Sequence, residues 1–100
     1  MTIDVDQVIH APNRLAICAL LSGAESVEFA VIRDELGVAD SVASKHLKVL
    51  VDAGYVSTAG RADPVSGRSR VWASLTPEGR AAFTAYVTNL QRLLRTSHAD

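Results

Sequence analysis

The segment from Ile32 to Val56, IRDELGVADSVASKHLKVLVDAGYV, constrains the fold more than any other part of the chain. Two short helical stretches are separated by Gly37, and the second stops at Gly54 ahead of a strand-like run. Within the second helix Ala43, Leu47, Leu50 and Val51 fall at i, i+4, i+7 and i+8, the spacing of one buried stripe. Ser41, Ser44, Lys45 and Lys48 fall together on the opposite side. Asp40 or Ser41 is placed to cap this helix by accepting from the free N–H groups of its first turn. A helix with leucines inward and small hydroxyls and lysines outward has the shape and polarity to enter a DNA major groove.

The flanking sequence supplies a body for these helices. Ile3–His10 has the apolar spacing of one or two helical turns. Pro12, at a position where a missing N–H costs nothing, opens PNRLAICALLSG, with Leu15, Ile17, Ala19 and Leu20 mostly buried and Gly23 as the stop. Ser26–Phe29 reads as a short strand with Val27 and Phe29 on one face, and Ala30–Leu36 as a short helix. Tyr55–Ala59 and Arg70–Leu75 read as strands around the turn residues Asp63-Pro64 and Ser66-Gly67. In the second strand Val71, Ala73 and Leu75 share one face, and Arg70, Trp72 and Ser74 the other. Thr76-Pro77-Glu78 combines a cap, a first-position proline and an acid at the positive end of a helix dipole. The closing helix, Pro77 to about Thr96, repeats Phe83, Tyr86, Val87, Leu90, Leu93 and Leu94 every three or four residues. That face packs either on the body of the chain or on the same helix of a second copy. The expected class is α+β, mostly α: a winged helix-turn-helix with a two-stranded wing and a C-terminal dimerisation helix, forming one domain over residues 1–100.

Net charge is −1, which by itself argues against a polyanionic partner, but the charge is unevenly spread. Residues 1–40 hold seven acids against two bases, and residues 41–80 hold six bases against three acids. Positive charge therefore gathers where the pattern already suggests an interface. The longest apolar run, Leu15–Leu21, is too short to span a membrane, and an N-terminus bearing Asp4 and Asp6 is unlike a secretion signal. A cytoplasmic location is expected. The single cysteine, Cys18, allows no internal disulfide and no cysteine-paired metal site. It lies mid-helix among apolar residues, so a buried, inert thiol is expected. His10 and His98 have no partners at ligand spacing, and neither a catalytic constellation nor a cofactor motif is present.

The candidate DNA-reading residues follow from reach and chemistry. Ser41 and Ser44 are short enough to bond phosphates or base edges, Val42 can touch a thymine methyl, and Lys45 and Lys48 can reach a guanine edge or a phosphate. His46, beside the buried stripe, is expected to pack or to bond a phosphate. Arg68 follows Gly67 and is expected at the wing tip, where an arginine fork suits the minor groove or a phosphate. Arg70 is a further candidate, with stacking on Trp72 or pairing with an acid as the alternative; Trp72 itself is expected to pack. Arg14 and Arg33, near helix starts, are further candidates for phosphate contacts.

These segments resemble a known group. SVASKHLKVLVDAGYV resembles the recognition helix and following strand of bacterial winged-helix regulators of the MarR and ArsR kinds. SLTPEGRAAF resembles the wing's end and the closing helix of small MarR-like regulators, and PNRLAICALL resembles the opening core helix of both. The resemblance covers roughly Ile9 to Phe83. It implies a homodimeric repressor that occupies a double-stranded operator and answers to an effector such as a small molecule. Its dimer contacts would come from Phe83, Tyr86, Val87, Leu90 and Leu94. The alternative is a winged-helix protein-interaction module without specific DNA binding.

Overall fold

A computed structural model describes residues 5–97, so Ile3, Asp4 and His98 lie outside the described residues. The elements run α1 (Gln7–His10), α2 (Pro12–Ser22), β1 (Val27–Glu28), α3 (Phe29–Leu36), α4 (Asp40–Asp52), β2 (Val56–Ala62), β3 (Ser69–Leu75) and α5 (Pro77–Ser97). The first helix begins at Gln7 because the Asp6 carboxylate caps it, accepting from the N–H groups of Val8 at 2.9 Å and Ile9 at 3.2 Å.

Helix α2 is the centre of the core. Ile17, Cys18 and Leu21 are fully buried, together with Ile9 of α1, Ile32 of α3, Leu50 of α4 and Ala73 of β3. Each buried leucine or isoleucine contributes about 2 kcal/mol of transfer free energy. Helices α3 and α4 are joined through Gly37, whose left-handed φ of 67° lets its N–H close on Arg33 and Asp34. Gly54, at φ 81°, makes the matching turn from α4 into β2.

Five expectations need correction. Ala19 is exposed and Leu15 and Leu20 are half-buried, because the inward side of α2 is centred on Ile17, Cys18 and Leu21. Val51 is 36% exposed, so the buried stripe of α4 is Ala43, Leu47 and Leu50 only. Val51 lies at the rim of the stripe, facing the sheet rather than α2. The N-cap of α4 is Ala39, without a side-chain bond, because Asp40 is already helical and its carboxylate is held by Arg33. The strand before α3 is only Val27–Glu28; Phe29 begins the helix. Of the two long strands, β2 starts one residue later than expected and runs on to Ala62, and β3 starts one residue earlier, at Ser69, since backbone pairing continues through the polar residues Gly60–Ala62 and Ser69.

The sheet is antiparallel, in order β1-β3-β2, so the two wing strands gain a third at their base. Val27 pairs with Ala73 and Glu28 with Trp72, while β2 and β3 are in register from Val56–Leu75 to Ala62–Ser69.

The base of the wing is locked to α5 by one joint. Thr76 accepts the Gly79 N–H at 3.0 Å and donates its hydroxyl to Gly54 O at 2.6 Å, and its own N–H reaches Tyr55 O at 3.0 Å. Gly79 is buried so tightly that an added Cβ would sit 2.0 Å from Tyr55 O. Gly79→Ala is therefore expected to cost about 3 kcal/mol or more in urea unfolding. Gly60→Ala, whose Cβ would meet only Ser69 Oγ at 3.5 Å, is expected to stay within about 1 kcal/mol of the parent.

Candidate nucleic-acid interface

Because Ala43, Leu47 and Leu50 seat α4 on the core, the outward direction of the helix is determined. At about 100° per residue, Ser41, Lys45, Lys48 and Asp52 share one outward strip. All four are exposed. Ser44 is turned toward the sheet, and Val42, 38% exposed, lies on the opposite flank. The structure thus brings Ser41, Lys45 and Lys48 together and splits Ser44 and Val42 to either side of them.

Between α4 and the sheet runs an open groove of about 470 Å³. It is lined by Ser44, Leu47, Lys48, Val51 and Asp52 of α4, with Phe29, Thr58 and Val71 opposite. The 44% exposed Val71 points into it. Alternation along β3 therefore sends Arg70 and Trp72 to the other face of the sheet.

Arg70 is fully engaged on that face. Its guanidinium bonds Glu28 at 2.8 Å and Asp63 at 3.1 Å, which raises its pKa, chiefly through Glu28. Pairing with an acid, the alternative left open by the sequence, is the arrangement found. The residue over Trp72 is instead Arg61, 5.1 Å from the ring centroid. Arg61 and Arg70 are directly opposed across β2 and β3. Like charges at such a position repel, and the two carboxylates with the indole relieve the contact.

The wing tip is preorganised. Asp63 accepts from the N–H groups of Val65 at 2.8 Å and Ser66 at 3.1 Å, and its backbone bonds both Arg68 O and Gly67 N–H. Gly67, at φ 73°, completes the turn. Arg68 follows it, exposed, with no side-chain hydrogen bond or ion pair among the described residues; Lys45 is likewise unpaired among them. Lys48 is held by Asp52 at 2.9 Å.

Arg14 and Arg33 are both engaged internally. Arg33 bonds Asp40 at 2.8 Å and Asp34 at 3.0 Å, and these acids raise its pKa. Arg14 donates to Val8 O at 2.6 Å and lies 3.3 Å from His46 Nδ1, so His46 is packed between α4 and α2. Cys18 is buried, and burial, then the charge of Asp6, pushes its thiol up to about 11. Such a thiol stays protonated and unreactive at neutral pH. Among the described residues no cluster of three or more His, Cys, Asp or Glu is placed to hold a metal, and no helix is long and apolar enough to cross a membrane.

Residues 13–94 match the family model described as a winged helix DNA-binding domain. The chain belongs to this family. An uncharacterised protein of Methanocaldococcus jannaschii, MJ0432, is 31% identical to the winged helix chain over 87 residues, covering 87% of it and 92% of that protein. Among solved structures, a transcriptional regulator homologue from Pyrococcus horikoshii OT3 superposes with a TM-score of 0.82 at 21% identity, covering 91% of this chain and 88% of the other. HlyU from Vibrio cholerae gives 0.67 at 24% identity, covering 87% and 84%. NadR, solved in complex with 4-hydroxyphenylacetate, gives 0.71 at 19%, covering 90% of this winged helix chain and 62% of its own.

The helical spacing put Ser41, Lys45 and Lys48 on one side of α4, but the acids that engage Lys48 and order the wing were missed. Glu28 and Asp63 carry no local pattern that announces a partner, although Asp63-Pro64 did mark the turn; Asp52 stands four residues after Lys48 on one helix, and that i,i+4 spacing is the signal that could have found the pair. The two backbone N–H bonds to Asp63 hold its carboxyl below the ordinary aspartate value of 3.8. A depressed folded value means its contribution to tip order is present above the unfolded value and is lost as pH falls through the folded one. The Val65 and Ser66 amide resonances are therefore expected to hold steady as pH falls through 3.8 and to move only below it; movement centred at 3.8 would show the turn is not held by Asp63.

Proposed function

We propose that this winged helix is a sequence-specific, double-stranded DNA-binding transcription regulator, acting as a homodimeric repressor in the cytoplasm, with residues 1–100 as one domain. The observation that carries the reading is the outward strip of α4. The core consumes Ala43, Leu47 and Leu50, and nothing in the fold requires the exposed Ser41 and Lys45 beside Lys48. In this reading α4 enters the major groove, with Ser41 and Lys45 nearest the bases, Lys48 following on the same strip, and Ser44 and Val42 meeting the two walls of the groove. Arg68 extends from the ordered tip to the minor groove or a phosphate. Arg70 acts on DNA indirectly, through Asp63, by fixing where that tip stands.

Dimerisation is assigned to α5. Phe83 and the 7% exposed Tyr86 root the helix in its own chain, Tyr86 by a 3.0 Å bond to His10. Val87, half-buried, Leu90, 41% exposed and lining a hollow with Val5 and His10, and Leu94, 53% exposed, continue that face and would meet a second copy. A small-molecule effector is part of the proposal, supported by the fold shared with NadR, whose solved structure contains 4-hydroxyphenylacetate.

The reading is tested by selecting bound sequences from random double-stranded DNA at low and high salt. A near-palindromic site with half-sites about one helical turn apart is expected, with affinity falling steeply as salt rises. Binding of no DNA at any salt would favour the protein-interaction module. Lys45→Ala is expected to lower affinity for the selected site about tenfold, equivalent to one good base or phosphate contact, without changing the melting temperature. Parent-like binding by that variant would remove Lys45 from the interface. Leu90→Asp combined with Leu94→Asp is expected to sediment as a monomer and to lose tight operator binding; a dimer that persists would place the interface elsewhere.

A further inference from the structure

Asp52 stands on the outward strip of α4 beside Lys45 and Lys48, 63% exposed, with its carboxylate 2.9 Å from Lys48 Nζ. Nothing in the stability of the fold calls for an acid there. It is the last residue of α4, next to the negative end of the helix dipole, where a carboxylate is unfavourable. The pair also runs lysine first and acid second, the weaker orientation at i,i+4. It touches no core residue's polar group, and an exposed pair of this kind is weak enough to exchange with a competing anion. Asp40, the other acid of α4, differs in each respect: it sits at the helix start, where the dipole favours it, and ties down Arg33 from α3.

We infer that Asp52 is an affinity-limiting residue of the DNA-binding face: its carboxylate occupies Lys48 as an internal stand-in for a DNA phosphate. The inference rests on the DNA-binding reading above and deepens it. A phosphate reaching Lys48 either displaces Asp52 or shares the ammonium with it, and in both cases lies near its negative charge. Contacts made to the backbone alone, which supply most non-specific binding, are penalised in full. A site that also engages Ser41 and Lys45 has base contacts to offset that penalty. Asp52 thereby lowers affinity for any duplex, and leaves discrimination between operator and bulk DNA to the contacts of Ser41 and Lys45. The same logic makes Lys48 a weaker contributor than its exposure suggests, with Lys45 the dominant cation of the helix.

The test measures binding of full-length wild type, Asp52→Asn, Lys48→Ala and the double variant to a random-sequence DNA duplex over a range of salt. Asp52→Asn keeps the size of the side chain and is expected to melt no lower than wild type. It is expected to bind the duplex at least threefold more tightly, with a steeper dependence on salt. In the Lys48→Ala background the same substitution is expected to give a clearly smaller gain. An equal gain in both backgrounds would show removal of a charge without any role for the pair, and would overturn the inference. Unchanged or weaker binding by Asp52→Asn, with wild type binding normally, would overturn it while leaving the DNA-binding reading in place. No binding by wild type or by any variant would overturn both.

Discussion

The packing of Ala43, Leu47 and Leu50 of α4 into the core built on α2 is the interaction on which the rest of the structure depends. A helix seated by three residues on one side has its opposite side free of structural duty. Burial of the two leucines contributes several kcal/mol, by about 2 for each, which exceeds anything the exposed side chains exchange among themselves. The orientation of Ser41, Lys45 and Lys48 is therefore set from below, by apolar contacts, and is insensitive to which polar residue occupies each outward position. That separation lets one scaffold carry many different reading surfaces.

The wing depends on the core in a different way. Its base is tied by strand pairing and by Thr76, which bonds Gly54 and Gly79 and so binds the end of α4's turn to the start of α5. Beyond that base β2 is almost wholly exposed and has no core of its own. Order at the tip comes from polar bonds, chiefly Asp63 to its own loop and Arg70 bridging Asp63 to Glu28. Glu28 sits on β1, so the third strand, which adds little to the sheet, supplies the far anchor of the wing.

What was legible in the sequence and what was not divides along the range of the forces involved. Turns that need a left-handed residue were readable at Gly37 and Gly54, because only a local backbone requirement is at stake. The Thr76-Pro77 helix start was readable for the same reason. Burial of Ala43, Leu47 and Leu50 followed from period, but Val51 shares that period and is part-exposed, because period gives a direction and not the edge of the neighbouring surface. The partners of Arg70 lie across strands, Glu28 being 42 residues away, and no spacing rule reaches that far. The capping of α4 failed as an expectation on similar grounds: Arg33 takes the Asp40 carboxylate, so the side chain is unavailable to the helix's own N–H groups. Of the candidate face, the elements and the outward Ser41, Lys45 and Lys48 were legible, as was the i,i+4 spacing of Lys48 and Asp52, and the cross-strand pairing that engages Arg70 was not.

Helix α5 poses the last question of balance. It has 21 residues, about 31 Å of helix, in a molecule 59 Å long and 26 by 21 Å across. Its first turns are held by Gly79, Phe83 and Tyr86, but its later turns present Leu90 and Leu94 to solvent. A helical segment as short as those later turns, about ten residues, is marginal in water, since propagation gains little per residue without a packed face. Leu90 and Leu94 lie on the same side as the residues that root the helix, so the apolar stripe continues where the body stops. Under the proposed dimer, a second copy covers that stripe and the cost of ordering the later turns is offset by association. Folding of the end of α5 and pairing of the two reading heads would then be one event, so the spacing between the two α4 helices would be set by the same contacts that make α5 stable.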